Sequence, residues 1–245
     1  MMIRAAWMVL NTALLLVLAD ALDSADGQLA RLTGIRSKYG RIIDGLVGNV
    51  IFIGIYIHLC LRYIAEGGTP WIFGLGVVAG ISHSFQCAMA DYYRNGYLFF
   101  VKGGRSGELD ASSTIRGQYE LLSWRGHPFK KLLQRLYLNY TLQQEFLSQS
   151  FLRLRKLSAK VYGENLPLGF RASYRRLNMP MIKYYNILTI NTRVIALFVF
   201  LLWKKPQLFF FFEILVLNLV LVSVLFRQER ISNDLVKAIE SEQGN

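Results

Sequence analysis

The chain has 245 residues, of which 53% are hydrophobic and only 18% charged, with a mean hydropathy of +0.30. That composition excludes an ordinary soluble domain and marks a polytopic membrane protein. The formal net charge of +12 fits loops beside anionic lipid headgroups, so no nucleic-acid partner is inferred.

Five apolar runs approach the roughly 20 residues that a helix needs to cross a bilayer. They are Ile3–Leu22, Ile42–Tyr63, Trp71–Tyr92, Tyr184–Trp203 and Leu208–Phe226. The first lacks a small-residue cleavage site and reads as a span, not a leader. Cys60 and Cys87 fall inside apolar runs, without metal-type Cys/His spacing, and read as small buried residues. Arg31, Arg36, Lys38 and Arg41 lie between the first two runs, Lys204 and Lys205 between the last two, and Arg227, Arg230 and Lys237 after the fifth. The short loops place the Arg31 connection and the C-terminus in the cytoplasm.

Residues 1–92 thus form three membrane helices, 93–183 a cytoplasmic insertion, 184–226 two further membrane helices and 227–245 a cytoplasmic tail. The expected fold is all-α: a membrane bundle of about five helices with a helical insertion. From Arg94 to Lys183 sixteen Lys/Arg face five Asp/Glu. Within it, Ser106, Gly107, Glu108, Asp110, Ser112 and Ser113 read as a polar loop. Pro128–Tyr162 reads as one long amphipathic helix, with Pro128 in its first turn and a break from Gly163. The Gly103–Gly107 stretch lacks the Lys-Ser/Thr ending of a phosphate loop and reads as a connection.

The stretch richest in chemistry runs from Asp23 to Asp44. Asp23, Asp26, Gly27 and Ala30 share one helical face, and Gly40 and Asp44 lie one turn apart at the start of the next helix. If the two helices run antiparallel across the basic connection Leu32–Tyr39, their ends bring three carboxylates together. Such a cluster repels itself unless a hard divalent cation neutralises it. Mg²⁺ favours oxygen ligands and commonly bridges carboxylates to substrate phosphates. Gly27 and Gly40 clear space for a nucleotide, and Arg31 supplies fixed charge for phosphate oxygens.

These residues resemble the signature of the CDP-alcohol phosphatidyltransferase family, D-x2-D-G-x2-A-R-x8-G-x3-D-x3-D. Seven of its eight fixed positions match: Asp23, Asp26, Gly27, Ala30, Arg31, Gly40 and Asp44. The eighth falls on Gly48, followed by Asn49, whereas the family carries there a carboxylate proposed as general base and metal ligand. With 22 residues before Asp23, the family's usual preceding helix is expected to lack a counterpart in this sequence. The resemblance implies a membrane transferase of phospholipid synthesis. It moves a phosphatidyl group from a CDP-linked donor such as CDP-diacylglycerol to an alcohol, and CMP leaves. Asp23, Asp26 and Asp44 would hold Mg²⁺ or Mn²⁺, and Gly27, Ala30, Arg31 and Gly40 would line the CDP site. A homodimer is implied, with the active site on the cytoplasmic side of the membrane, the inner membrane in a bacterium. The alternative is a relative that binds the donor or another lipid without turning it over.

Candidate acceptor contacts are Arg36, Lys38, Arg41, Asp91, Arg94 and Arg193. For Asp91 and Arg94 the rival reading is an interfacial cluster. For Arg193, deep in the fourth run, it is an ion pair with Glu213. His58 and His83 read as hydrogen-bonded helix contacts. The acceptor itself, whether glycerol phosphate, inositol or its phosphate, serine or an aminoalcohol, is not legible.

Overall fold

The computed structural model describes residues 38–102, 109–163 and 165–243, with side chains throughout except at 38–41 and 44–46. The first apolar run, Asp23, Asp26, Gly27, Ala30, Arg31, Arg36 and the 103–107 stretch lie outside the described residues. Among the described residues all regular structure is helical, as expected.

Helices α1 (Lys38–Ala65) and α2 (Ile72–Val101) form an antiparallel hairpin whose tight turn needs Gly67 at φ +90°. Small residues on α2 let α1 come close. A Cβ on Gly76 would lie 3.0 Å from Cys60 Sγ, and one on Gly80 3.5 Å from the Tyr56 ring. Further along, Phe52 stacks on His83 with centroids 4.5 Å apart.

Next come α3 (Ser112–Glu120), α4 (Pro128–Leu147) and α5 (Gln149–Tyr162). Ser112 and Ser113, expected in a loop, open α3. The expected helix Pro128–Tyr162 is two helices, broken at Ser148 with φ −137° and ψ 59°. Ser148 Oγ donates to the Gln144 carbonyl at 2.5 Å, a local bond that competes with the helical ladder. The amides freed at the start of α5 find a distant acceptor: Ser150 and Phe151 donate to the Glu229 carboxylate at 2.7 and 3.3 Å. Pro128 sits in the first turn of α4, and Gly163 at φ +61° ends α5, both as expected.

The chain continues through α6 (Leu168–Asn178), a 3₁₀ turn at Met179–Met181, α7 (Ile182–Ile187) and α8 (Ile190–Leu202). The last helix, α9 (Leu208–Gln243), contains a π turn at Phe212–Leu217. The expected single span Tyr184–Trp203 is interrupted at Leu188–Thr189. By itself α8 is about 20 Å long, short of the roughly 30 Å of a bilayer core. Three described helices are long and apolar enough to cross a membrane: Val47–Ala65, Ile72–Val101 and Leu208–Gln243. A fourth span exists if Leu168–Ile187 and Ile190–Leu202, bent by 40°, cross together. Beyond Phe226, α9 stays helical and packs along α5, with Arg153 paired to Glu240 at 2.6 Å and Tyr162 donating to Glu242 at 3.1 Å.

Two apolar cores result. One gathers Phe52, Tyr56, Leu197, Phe209 and Phe210. The other surrounds Phe151, whose ring meets Tyr92, Tyr93 and Phe100 edge-on at 5.1, 5.6 and 5.9 Å, and extends to Val236 and Ile239 of α9.

Between the cores runs a polar belt centred on Arg193 and Glu213, each 0% exposed. Arg193 Nε donates to Glu213 Oε1 at 2.8 Å, Nη2 to Gln86 Oε1, and Nη1 to the carbonyls of Leu188 and Thr189 at 2.6 and 2.9 Å. Those carbonyls belong to the two residues between α7 and α8. Glu213 Oε1 also accepts from Tyr56 OH at 2.8 Å and faces His83 Nδ1 at 3.3 Å. Gln86 Nε2 donates to the Glu213 carbonyl inside the π turn at 3.0 Å and to Asn218 Oδ1 at 2.7 Å, and Asn218 donates to Ser82 Oγ at 2.9 Å.

Two outcomes follow for stability. Removing one charge of the buried pair, by Arg193→Met or Glu213→Leu, strands the other and should cost about 3–5 kcal/mol, while the double variant recovers much of the loss. Thermal unfolding of the detergent-solubilised protein reads this, and single variants melting like wild type would refute it. A Cβ at Gly96 would lie 2.3 Å from Phe151 Cζ. Gly96→Ala should therefore destabilise by about 1–3 kcal/mol through overpacking, with Phe151→Leu relieving part of it in the same assay.

Candidate functional site

The α1–α2 hairpin fixes which residues share a level. Cys60 meets Gly76, Tyr56 meets Gly80 and Phe52 stacks on His83, so the two residue numbers at each contact add to nearly the same total. Continued towards the start of α1, the same register sets Gly48 opposite Cys87 and Ala88, and helix position 44 opposite Asp91 and Tyr92. Gly40 and Asp44 stand one turn apart on α1, as their spacing requires. Lys38 and Tyr39, expected in the connection, are already helical. Lys38, Gly40 and Arg41 thus occupy the first turn of α1 as described, at the same end as Asp44.

On α2, Asp91 is exposed and accepts from Asn95 at 3.1 Å, and Arg94 is exposed. Tyr92 is buried, and its hydroxyl accepts from Arg155 of α5 at 3.4 Å. Asp91 and Arg94 are therefore surface groups level with position 44. Arg193 is not with them. Its buried guanidinium is engaged by Glu213, Gln86 and two carbonyls, so the ion-pair reading describes its surroundings and the acceptor reading does not. His83 sits between Phe52 and Glu213. Its Nε2 lies 3.7 Å from Sγ of Cys87, one turn on, and that sulfur also points at the Leu188 carbonyl at 3.8 Å. Both cysteines are free.

Position 48 is half-buried and crowded on one side. A Cβ there would stand 3.2 Å from Ile190 Cδ1, the first residue of α8. The neighbour is the tip of a flexible side chain, so an acid at 48 requires Ile190 to yield. Among the described residues no group of three or more His, Cys, Asp or Glu could hold a metal. Asp23 and Asp26 lie outside those residues, and Asp44 is described by its backbone alone.

Beside Gly48, at Asn49, begins a groove of roughly 620 Å³. Helices α1 and α2 form two walls, and α4 closes the third with Leu136, Asn139, Tyr140 and Gln143. Sequence reading missed this groove, since the approach of α4 to α1 and α2 leaves no periodic trace. It also missed the belt partners Tyr56, Gln86, Asn218 and Ser82. For the last two and Gln86 a signal existed: polar residues interrupting otherwise apolar runs.

No curated protein and no solved structure matches the chain. Residues 1–96 match the family model described as CDP-alcohol phosphatidyltransferase, a span that takes in the Asp23–Asp44 motif, α1 and most of α2. The family is a class of phosphotransferases that uses CDP-alcohol donors and alcohol acceptors. This match supports the family to which the motif's seven positions point, the CDP-alcohol phosphatidyltransferases.

Proposed function

We propose that the chain is an active membrane transferase that moves a phosphatidyl-type group from a CDP-linked donor such as CDP-diacylglycerol onto an alcohol. What carries the reading is the motif at the start of α1 together with the hairpin register, which sets position 44 level with the exposed Asp91 and Arg94 at the polar end of apolar helices. Three carboxylates, Asp23, Asp26 and Asp44, are a hard oxygen donor set suited to Mg²⁺ or Mn²⁺. Bound there, the metal would neutralise the pyrophosphate and ease the departure of CMP. Gly27, Ala30, Arg31 and Gly40 line the nucleotide. Arg36, Lys38, Arg41, Asp91 and Arg94 surround the acceptor, and the abundance of cations favours a phosphorylated one. The acceptor hydroxyl oxygen attacks the lipid-side phosphorus, the bond from that phosphorus to the bridging oxygen breaks, and CMP leaves with the bonding pair. The hydroxyl proton must pass to a base, a task that no side chain at position 48 performs. The site faces the cytoplasm, and the working unit is a homodimer.

Purified protein given CDP-diacylglycerol and a panel of acceptors should release CMP in a metal-dependent way. Asp23→Asn or Asp26→Asn should reduce release to background without changing the thermal unfolding of the protein. Wild-type turnover in either variant would remove the metal role from these residues.

A second reading is favoured by Gly48 alone: a relative that binds the donor without turning it over. It predicts saturable, metal-dependent CDP binding and no CMP release from wild type. The proton-transfer view of position 48 has its own check. Gly48→Asp combined with Ile190→Ala, which clears the crowded side, should raise CMP release above that of Ile190→Ala. Equal rates in the two variants would leave that view without support.

A further inference from the structure

The groove between α1, α2 and α4 is polar at one end and apolar at the other. Its α1 wall runs from Asn49 to Cys60 and its α2 wall from Ser84 back to Phe73, a distance of about 16 Å along either helix. Asn49 and Ser84 both line the end nearest Gly48. Gln143 of α4 belongs to that end too, since its neighbour Gln144 donates to the Ala88 carbonyl at 2.9 Å. The Gln143 Oε1 atom is buried and has no hydrogen-bond partner. Away from this end the walls are Ile53, Ile57, Val77 and Ile81, side chains 48–62% exposed. A slot of this size is in the range of small-molecule sites, but its gradient along one axis suits an amphiphile.

On the reading of the chain as a CDP-dependent transferase, the donor's pyrophosphate lies at the Asp44 end of α1. Asn49 follows little more than one turn later, so a tail leaving the phosphate meets the polar mouth of the groove first. We propose that this groove seats one acyl chain of the CDP-linked lipid donor, with α4 as the wall that sets which tails fit. Residues 1–96 carry the family match, and α4 lies beyond them, so tail selection is a property added by the insertion. Ester oxygens and glycerol sit by Asn49, Ser84 and Gln143, and methylenes sit against Ile53, Val77 and Leu136. The apolar run Ile3–Leu22 also carries polar residues, Asn11 and Thr12 among them, and is the rival occupant that the labelling below distinguishes from an acyl chain.

The test uses the full-length protein in nanodiscs and a CDP-diacylglycerol bearing a photoactivatable diazirine near the end of one acyl chain. Irradiation followed by peptide mapping should place the label on Ile53–Cys60, Phe73–Ile81 or Leu136, and excess CDP should suppress it. Val77→Trp should lower the ratio of kcat/KM for a long-chain over a short-chain donor about tenfold, the scale set by lost methylene burial. Leu219→Trp, on the exposed face of α9, should leave that ratio unchanged. CDP-suppressible labelling that maps to α9 overturns the groove assignment while the transferase reading stands. Labelling within the groove that CDP does not reduce shows a bulk lipid there and also overturns it. Absence of both CMP release and CDP-dependent labelling fails the transferase reading and this inference with it.

Discussion

A buried arginine cannot shed its proton, so the protein around Arg193 has to answer a full positive charge inside an apolar bundle. Glu213 supplies the opposite charge, and the remaining donors reach oxygens from two other elements. The pair thereby ties α2, α7, α8 and α9 at one level. It also explains two irregularities at once. The end of α7 exposes carbonyls that Arg193 takes up, and the π turn in α9 turns the Glu213 carbonyl towards Gln86. Without the pair, both irregularities would leave polar backbone unsatisfied in a setting where each such group costs several kcal/mol. Apolar packing above and below then follows from where this belt fixes the helices.

The insertion uses the same kind of bond, a carboxylate answering a partial charge from elsewhere in the chain. Neither α3 nor α5 has a side-chain cap of its own. Glu145 of α4 receives the backbone N–H of Ser112 at 3.0 Å and its hydroxyl at 2.5 Å, and Glu229 of α9 receives the first amides of α5. Each acid complements the positive end of a helix that sequence alone leaves open. The first acid joins α3 to α4 and the second α5 to α9, while Gln144 of α4 donates to the Ala88 carbonyl at 2.9 Å and ties α4 to α2 beside the groove.

Period and composition were enough to read α1, α2 and α9 as apolar helices of membrane-spanning length, because a run of apolar residues that long has few other uses. They were enough for the amphipathic character of α4 and α5 but not for the break at Ser148, which depends on Glu229, about eighty residues away. The broken span around Leu188 escaped because its break is marked by hydrogen bonds inside the segment, from Thr189 Oγ1 to the Asn186 carbonyl and from Arg193 to the Leu188 and Thr189 carbonyls, which apolar periodicity does not reveal. The motif was legible because its spacings are fixed within one short stretch of sequence, Asp23 to Asp44. The groove was not, because its third wall comes from a segment far along the chain whose approach has no signature in spacing.

The absent carboxylate at position 48 and the broken span are connected through packing. Thr189 is extended and Ile190 starts α8 directly after the break. That start is where Arg193 holds the chain, and it brings Ile190 Cδ1 to within 3.2 Å of where a Cβ on Gly48 would stand. A longer acid at 48 would have to displace this contact or turn away from α8, towards the groove mouth where Asn49 stands. The glycine is therefore accommodated by a neighbouring hydrophobe, and an isolated Gly48→Asp change confronts a packing cost before its carboxylate can do any chemistry. The surroundings of position 48 are therefore set, through Ile190 and α8, by the buried Arg193–Glu213 pair.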